Sequence, residues 1–438
     1  MAERVVVAQL GARMHYAVPR ILHATGELHR LYTDICATRG WPRGIRHIPA
    51  GMLPAAVRRL RGRIPEGIPT ERITTFPTFG LQLAARRMRA RTPSQHTETA
   101  IWGASRFGSL VNQAGFAGAT GFYGFSGDCL EQIAAAREAG LWTTVEQIIA
   151  PRGVLDTLME EEESTFPEWR FEQEHDRFAH AFAQRERAEW DLADLVVCGS
   201  EFVRRGVTET TGGRVRCVVV PYGVDRRFAL PARNPRKGPL RVLTVGAADL
   251  RKGTPYVLAA ARQLAGKATF RLVGFCNVPE QVRRTLAGTL ELTGVVPRAE
   301  ILKQYEWADV FLLPSLCEGS ATVVYEALAA GLPVVTTENT GTVVRDGEEG
   351  FIVPIRDPDA IVTALERLDD DRDMLAEMSH RASRRAATFD LQHYGARLRQ
   401  ALAEVRDVHR HAGSPERHAR SAASDRAAIH QRSLSKSA

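Results

Sequence analysis

From residue 240 onward the chain alternates short apolar runs with amphipathic stretches. Leu240-Arg241-Val242-Leu243-Thr244-Val245 predicts a strand ending at Gly246. A polar loop follows through Gly253, then a helix from Pro255 to about Leu264 with Val257, Leu258, Ala261 and Leu264 on one face. Residues 270–274, 290–294, 309–314, 333–337 and 351–354 read as further strands, and 282–286, 298–307 and 321–330 as helices between them. The helix at 321–330 stops at Gly331, a fitting C-terminal glycine. Such alternation requires crossover connections, hence a parallel sheet covered on both faces. Ligands of a doubly wound sheet bind beyond the carboxyl ends of its strands.

The first half repeats the pattern less clearly. Residues 5–10 predict a strand ending at Gly11, and 16–25 a helix. Between 39 and 93 the chain is rich in Arg, Pro and Gly and the pattern is lost. It resumes with strands at 121–124, 142–146, 195–198 and 217–220 and helices at 130–139 and about 168–188, the latter highly charged. Ser200 should cap a helix running towards Thr210. Proline, arginine and glycine accumulate between Pro221 and Gly238, the expected domain boundary. The expected domains are 1–220 and 221–390, with a helix at 391–411 returning to the first domain and a disordered tail at 412–438.

Length and composition fit this picture. The 438 residues suggest two domains, and 44% hydrophobic with 25% charged residues is ordinary for a globular protein. The six cysteines show no CxxC spacing, so buried free thiols are expected rather than zinc or disulfides. The N-terminus lacks the pattern of a signal peptide and no apolar run approaches a bilayer span, which predicts a cytoplasmic location. The net charge of +7 comes largely from arginines between Arg58 and Arg91 and from the tail. Stretches 55–63 and 83–91 mix leucine with arginine, which suits plain solvation and also contact with an anionic membrane surface. No nucleic-acid-binding motif is present.

The chemistry concentrates in the run Pro314-Ser315-Leu316-Cys317-Glu318-Gly319-Ser320-Ala321, leading into a helix that carries Glu326. A helix start beyond a buried strand offers unpaired N–H groups to a diphosphate or a sugar. Gly319, Ser320 and Ala321 are small enough to let a ligand approach the backbone. A carboxylate at Glu326, beside buried Ala327 and Leu328, needs a partner, and vicinal hydroxyls of a ribose would serve. On spacing alone, Glu318 reads equally well as an exposed loop acid and Glu326 as a salt-bridged helix residue.

The combination Leu313-Pro314-Ser315, Glu318, Glu326 and Gly331-Leu332-Pro333 resembles the donor-site signature of family 4 retaining glycosyltransferases. Val220-Pro221-Tyr222-Gly223-Val224-Asp225, Gly246 through Arg251-Lys252-Gly253, and Asp346-Gly347 with Gly350-Phe351-Ile352 resemble further family blocks in the family's order. The resemblance implies a GT-B fold, two Rossmann-like domains facing across a cleft. It implies a nucleoside diphosphate sugar on the C-terminal domain, an acceptor hydroxyl on the N-terminal one, and no cofactor or metal. Glu318 would contact donor sugar hydroxyls, Glu326 the ribose, and Arg251 and Lys252 the diphosphate. The sequence departs from the family at Ala247, where arginine is common, and at Tyr222, where asparagine is common. On the acceptor side the family's glycine-rich loop is reduced to Gly11-Ala12-Arg13, and Phe125-Ser126-Gly127 and Glu146-Gln147 stand where histidines are common. Apart from the resemblance, His15 follows the first strand, where a cleft residue could act as acid or base, and reads also as a structural or solvent-exposed loop histidine.

Other candidates carry less chemistry. Asp369 to Asp373 follow a helical run and read as a solvated helix junction rather than a metal site. His175 and Asp176 read as part of a solvated helix face. Beside glycosyl transfer with retention, a sugar-nucleotide epimerase, a phosphorylase and a non-catalytic nucleotide-sugar-binding subunit are compatible with these residues.

Overall fold

A computed structural model describes residues 3–48, 52, 57, 60–171, 175–231, 236–297 and 300–412. The expectations for 55–63, for the start of 298–307 and for the tail beyond residue 412 lie outside the described residues, in whole or in part.

Two parallel sheets organise the chain. The first contains β1 (Val5–Gln9), β2 (Leu28–Thr33), β3 (Ile73–Thr75), β4 (Gly121–Phe125), β5 (Trp142–Gln147), β6 (Leu195–Cys198) and β7 (Cys217–Val219), in the order β3-β2-β1-β4-β5-β6-β7. The second contains β8 (Leu240–Val245), β9 (Ala268–Val273), β10 (Glu291–Gly294), β11 (Val310–Leu313), β12 (Val334–Thr336) and β13 (Gly350–Ile352), in the order β10-β9-β8-β11-β12-β13. Strands β1, β4, β6, β11 and β12 are buried along their whole length, as helices on both sheet faces require. In each sheet the strand order reverses once, at β1/β4 and at β8/β11. The loops leaving those strands therefore diverge there, the place where doubly wound sheets bind their ligands.

The helices of the second half fall where the pattern placed them, at Thr254–Gln263, Glu280–Ala287, Ile301–Trp307 and Thr322–Ala329. The unread stretch of the first half holds β3, the helix Pro77–Arg89 and then the helix Pro93–Ala114, the last opened by a capping box between Thr92 and Gln95. Strand β2 was not legible either.

The expected helix at 168–188 does not exist as one element. Helices run over Arg152–Thr165 and Ala179–Leu192, with a single turn at Pro167–Trp169 between them. Pro167 cannot donate to a continuing helix, and Arg170 is extended. Asp176 accordingly lies on no solvated face. Its carboxylate accepts from Arg152 Nη2 at 2.6 Å and Thr97 Oγ1 at 2.5 Å, while the His175 carbonyl accepts from Ser94.

The segment 152–169 crosses from the first sheet to the second. Trp169 belongs to the core around β8, β9 and β11, with Met159 and Phe166 packed against it. Glu162, wholly buried, accepts from the Tyr256 hydroxyl at 2.9 Å and from Arg356 Nε at 2.5 Å. At the other end of the chain, the helix Leu391–Ala412 begins against the first domain. Tyr394 packs edge-on to Tyr222 at 5.9 Å, and a Cβ on Gly395 would lie 3.2 Å from the Ile21 side chain.

Candidate functional site

The loop after β8 and the loop after β11 meet at the carboxyl edge of the second sheet. Leu316 N–H donates to the Arg251 carbonyl at 2.9 Å, so one backbone bond joins them. Gly253 makes the approach feasible. Its φ of +70° suits glycine, and a Cβ there would lie 2.1 Å from the Pro314 carbonyl oxygen. The turn before it is held by Asp249, whose carboxylate accepts the Lys252 N–H at 2.8 Å. Thr254 Oγ1 accepts the Asp249 N–H at 3.1 Å. Burial pushes the Asp249 carboxyl above its usual range, against the pull of Arg251 and Lys252.

This frame aims two cations at one carboxylate. Lys252 Nζ lies 2.6 Å from Glu318 Oε1, and Arg251 Nη1 pairs with the same oxygen. Arg251 Nη1 also donates to the Cys317 carbonyl at 3.1 Å. The three side chains are 12%, 28% and 13% exposed for Lys252, Arg251 and Glu318, so they border solvent without being washed by it. Gly246 completes this side: a Cβ on it would press on Lys252 Cε at 3.3 Å. The neighbouring Cys317 thiol is pushed up to about 12 by burial.

The rest of the loop is occupied by protein. A Cβ on Gly319 would lie 1.9 Å from the Ile148 carbonyl oxygen, just beyond β5, so the first domain uses the space that glycine leaves. Ser200 Oγ donates to the Gly319 carbonyl at 2.5 Å. The Ser320 hydroxyl is shared between the Tyr325 hydroxyl at 2.7 Å and the Gly341 carbonyl at 3.1 Å. Ala321 begins the helix Thr322–Ala329 and supplies no side-chain cap to its first-turn N–H groups. Glu326 lies in that helix and accepts from the buried Tyr305 hydroxyl at 2.8 Å, which gives the carboxylate a partner within the protein.

On the first sheet, Gly11 follows β1 with φ +74°, and its N–H donates to Asp34 Oδ1 at 3.0 Å. His15 is exposed and sits inside a left-handed turn. The structure thus gathers Gly246, Arg251, Lys252 and Glu318 at one point. Gly11 and His15 stand at the edge of the other sheet.

Sequence reasoning missed several contributors. Asp249 carries a signal in retrospect, an Asp three residues before the N–H it accepts. Asn339 does not: its carbonyl accepts the Glu318 N–H at 2.9 Å, and its amide donates to the Leu316 carbonyl at 2.8 Å. Asn339 also lines a mostly apolar cavity of about 440 Å³, together with Val154, Leu158, Trp190 and Phe202. Glu146 is buried and accepts from the hydroxyls of Tyr123 at 2.5 Å and Tyr222 at 3.0 Å. Burial raises its carboxyl, and the two tyrosines oppose that rise. Tyr222, the departure from asparagine, thereby ties the interdomain segment to the end of β5.

Comparison with known proteins bears on the fold and on the second half of the chain. Residues 239–371 match the family model described as Glycosyl transferases group 1. The amylovoran biosynthesis glycosyltransferase AmsK of Erwinia amylovora is 32% identical over 167 residues, 34% of this chain and 41% of the relative. Phosphatidyl-myo-inositol mannosyltransferase of Mycolicibacterium smegmatis is 32% identical over 219 residues, 47% of this chain and 56% of the relative. The matched stretches thus span roughly half the length of these relatives. Among solved structures, sucrose-phosphate synthase from Thermosynechococcus elongatus superimposes with a TM-score of 0.62 at 16% identity, covering 92% of this chain and 99% of that one. Anabaena Alr3699/HepE in complex with UDP gives 0.59 at 15% identity, covering 92% and 100%. The chain has the GT-B fold, and its second sheet, over residues 239–371, carries a glycosyl transferases group 1 domain.

Proposed function

We propose that this protein transfers a sugar from a nucleoside diphosphate sugar to an acceptor hydroxyl, with retention of anomeric configuration and without a metal, in glycan, polysaccharide or glycolipid synthesis. The observation that carries the reading is the grip of Arg251 and Lys252 on Glu318 at the strand ends of the group 1 domain. Arg251 and Lys252 bring two cations to the place where a diphosphate would lie, facing the Glu318 carboxylate and the Asp249 carboxyl, which burial raises above its usual range. As the bond from the anomeric carbon to the phosphate oxygen breaks, its electron pair passes to that oxygen. Arg251 and Lys252 stabilise the charge developing there, a task a divalent ion performs elsewhere. The acceptor oxygen forms the new bond to the anomeric carbon from the same face, and its proton goes to the departing phosphate. Glu318 orients the donor sugar through its hydroxyls, and Glu326, released from Tyr305, takes the ribose.

Structures of this fold with UDP bound place uridine donors first in a trial. Calorimetric titration with UDP-sugars, GDP-mannose and ADP-glucose should show micromolar binding of at least one of them. A protein that binds no nucleotide and no nucleotide sugar would sink the reading.

The same reading includes contact with an anionic membrane, supported by one surface. Trp41, Leu81 and Met88 are exposed by 56%, 49% and 64%. Gly40 abuts Pro77, so Trp41 lies at the start of the helix that ends in Arg86, Arg87 and Arg89. The sequence from 72 to 97 contains no Asp or Glu. Exposed indole and thioether groups beside arginines suit a headgroup layer. No helix among the described residues is long and apolar enough to cross a membrane, so contact would be peripheral. Vesicles rich in phosphatidylglycerol should sediment with the protein, and R87E with R89E should abolish it. Equal binding to neutral phosphatidylcholine vesicles would count against the charge argument.

A further inference from the structure

Tyr222 and Glu146, both departures from the family pattern, are each other's partners. The Tyr222 hydroxyl donates to Glu146 Oε1 at 3.0 Å, at the end of β5, while the Tyr123 hydroxyl holds Oε2. Tyr222 also donates in the other direction. Its backbone N–H reaches the Tyr325 hydroxyl at 3.2 Å, in the helix Thr322–Ala329 of the second domain. One residue of the interdomain segment is therefore bonded to both domains.

The bonds continue in one sense. The Tyr325 hydroxyl lies 2.7 Å from Ser320 Oγ, and Ser320 Oγ donates to the Gly341 carbonyl at 3.1 Å. A serine hydroxyl has one proton. With that proton on Gly341, Tyr325 donates to Ser320 and accepts from Tyr222. Gly341 in turn abuts the loop after β11: its φ is +67°, and a Cβ on it would lie 2.2 Å from the Gly319 carbonyl oxygen. The relay thus ends beside the residue that follows Glu318. Tyr222, Tyr325 and Ser320 are 6%, 1% and 5% exposed, so bulk water does not replace a missing member.

The relay stands where the chain changes domain. Val224 N–H donates to the Phe389 carbonyl at 2.8 Å, so the outgoing and returning segments run together. The Tyr325 ring packs edge-on to Phe389 at 5.6 Å, and Tyr222 to Tyr394 at 5.9 Å. Tyr325 therefore touches both segments.

We infer that Tyr325 is a positioning residue, whose hydroxyl passes the setting of the interdomain segment to the loop that carries Glu318. It touches no substrate. It acts by holding Ser320, and with it the backbone on which Glu318 meets Arg251 and Lys252. The consequence for sugar transfer rests on the donor reading above; the mechanical link does not.

Hydrogen exchange of the full chain, read by mass spectrometry over residues 314–321, tests the link. In that loop the N–H groups of Leu316, Glu318 and Ala321 are bonded to the carbonyls of Arg251, Asn339 and Thr340, so their exchange reports its opening. Tyr222→Phe keeps the ring and the backbone N–H and removes only the bond to Glu146. Tyr325→Phe removes the middle of the relay. Each should speed exchange in the loop by about tenfold, the worth of one buried hydrogen bond. The double variant should be no faster than Tyr325→Phe alone, and exchange over 254–263 should stay as in the wild type. Additive acceleration in the double variant overturns the relay, because it marks two separate routes. An unchanged loop in Tyr222→Phe overturns it too, as does faster exchange across both domains, which is general loosening. Ser320→Ala cuts the far end and completes the same cycle should Tyr325→Phe fail to fold. With the nucleotide sugar that calorimetry selects, Tyr325→Phe should lower kcat about tenfold and leave KM within about twofold. A change in KM alone contradicts the positioning of Glu318. If no nucleotide sugar binds, the donor reading falls, and the exchange cycle still decides the relay.

Discussion

Glu318 is the residue on which the proposed donor site turns. Its Oε1 engages Arg251 and Lys252 at once, so a diphosphate bound there must compete with it for the same cations. Two substitutions should then move UDP affinity in opposite directions. Lys252→Ala removes a charged donor and should weaken UDP binding by roughly 10- to 100-fold. Glu318→Gln frees the cations and should tighten UDP by a few-fold, roughly 1 kcal/mol, yet lower turnover because the donor sugar loses its carboxylate. Calorimetry with UDP followed by steady-state rates separates these effects. Parallel weakening in both variants would rule out competition. Glu318 and Lys252 were singled out in the sequence by the family resemblance, Glu318 reading equally well as a loop acid on spacing alone; the structure brings the two side chains together. Asn339, which holds the Glu318 backbone from the single turn Glu338–Thr340 after β12, left no local mark.

At the level of elements, the start of the last helix shows how one side chain links two segments. Asp390 Oδ1 accepts the His393 N–H at 2.8 Å, capping the helix, while Oδ2 pairs with Arg226 Nη2 at 2.9 Å. Partial burial, the largest single influence, raises its carboxyl. The His393 N–H, the Arg226 guanidinium and the His393 ring together outweigh it and hold the group well below the usual carboxylate range. A depressed carboxyl stabilises the fold fully above its unfolded value, near ~3.9. The contribution is lost as pH falls through the lower folded value. Asp390→Ala should therefore cost about 1–2 kcal/mol at pH 7, with the gap to wild type closing below about pH 4. Urea unfolding at several pH values checks this, and a gap independent of pH would contradict it. Elements with strong local periodicity, such as β8, β11 and the helix Thr322–Ala329, were legible to within a few residues. The stretch 168–188 was not. Its charge density suggested a solvated helix, but Asp176 spends its charge on Arg152 and Thr97, partners 24 and 79 residues away.

For the molecule as a whole, Gly319, next to Glu318, is a point where the two domains touch. A Cβ there would collide with the Ile148 carbonyl, and the Ser200 hydroxyl holds the Gly319 carbonyl from the same side. Gly319→Ala should force the loop or the domains apart. We expect at least about tenfold lower turnover, equivalent to ~1.4 kcal/mol of barrier, with UDP affinity changed less, because the cations lie on the second domain. Small-angle scattering should show a more open particle. Unaltered turnover would show that the contact can be released freely. The general fold was readable because parallel sheets need continuous apolar strands. The domain contact was not, since it depends on backbone atoms brought together across 171 residues, from Ile148 to Gly319.

The crossing segment 152–169 bears on how the chain is made. It lies inside the first sheet's sequence, between β5 and β6, yet Met159, Phe166 and Trp169 pack in the core of the second domain. Glu162 waits for Arg356, which is synthesised 194 residues later. A ribosome releasing the first half alone therefore presents an unshielded aromatic patch and an unmatched acid. The N-terminal sheet can pair its strands early, but it becomes a finished, non-sticky body only when most of its successor has emerged. Truncation after β7 should yield aggregation rather than an independent domain.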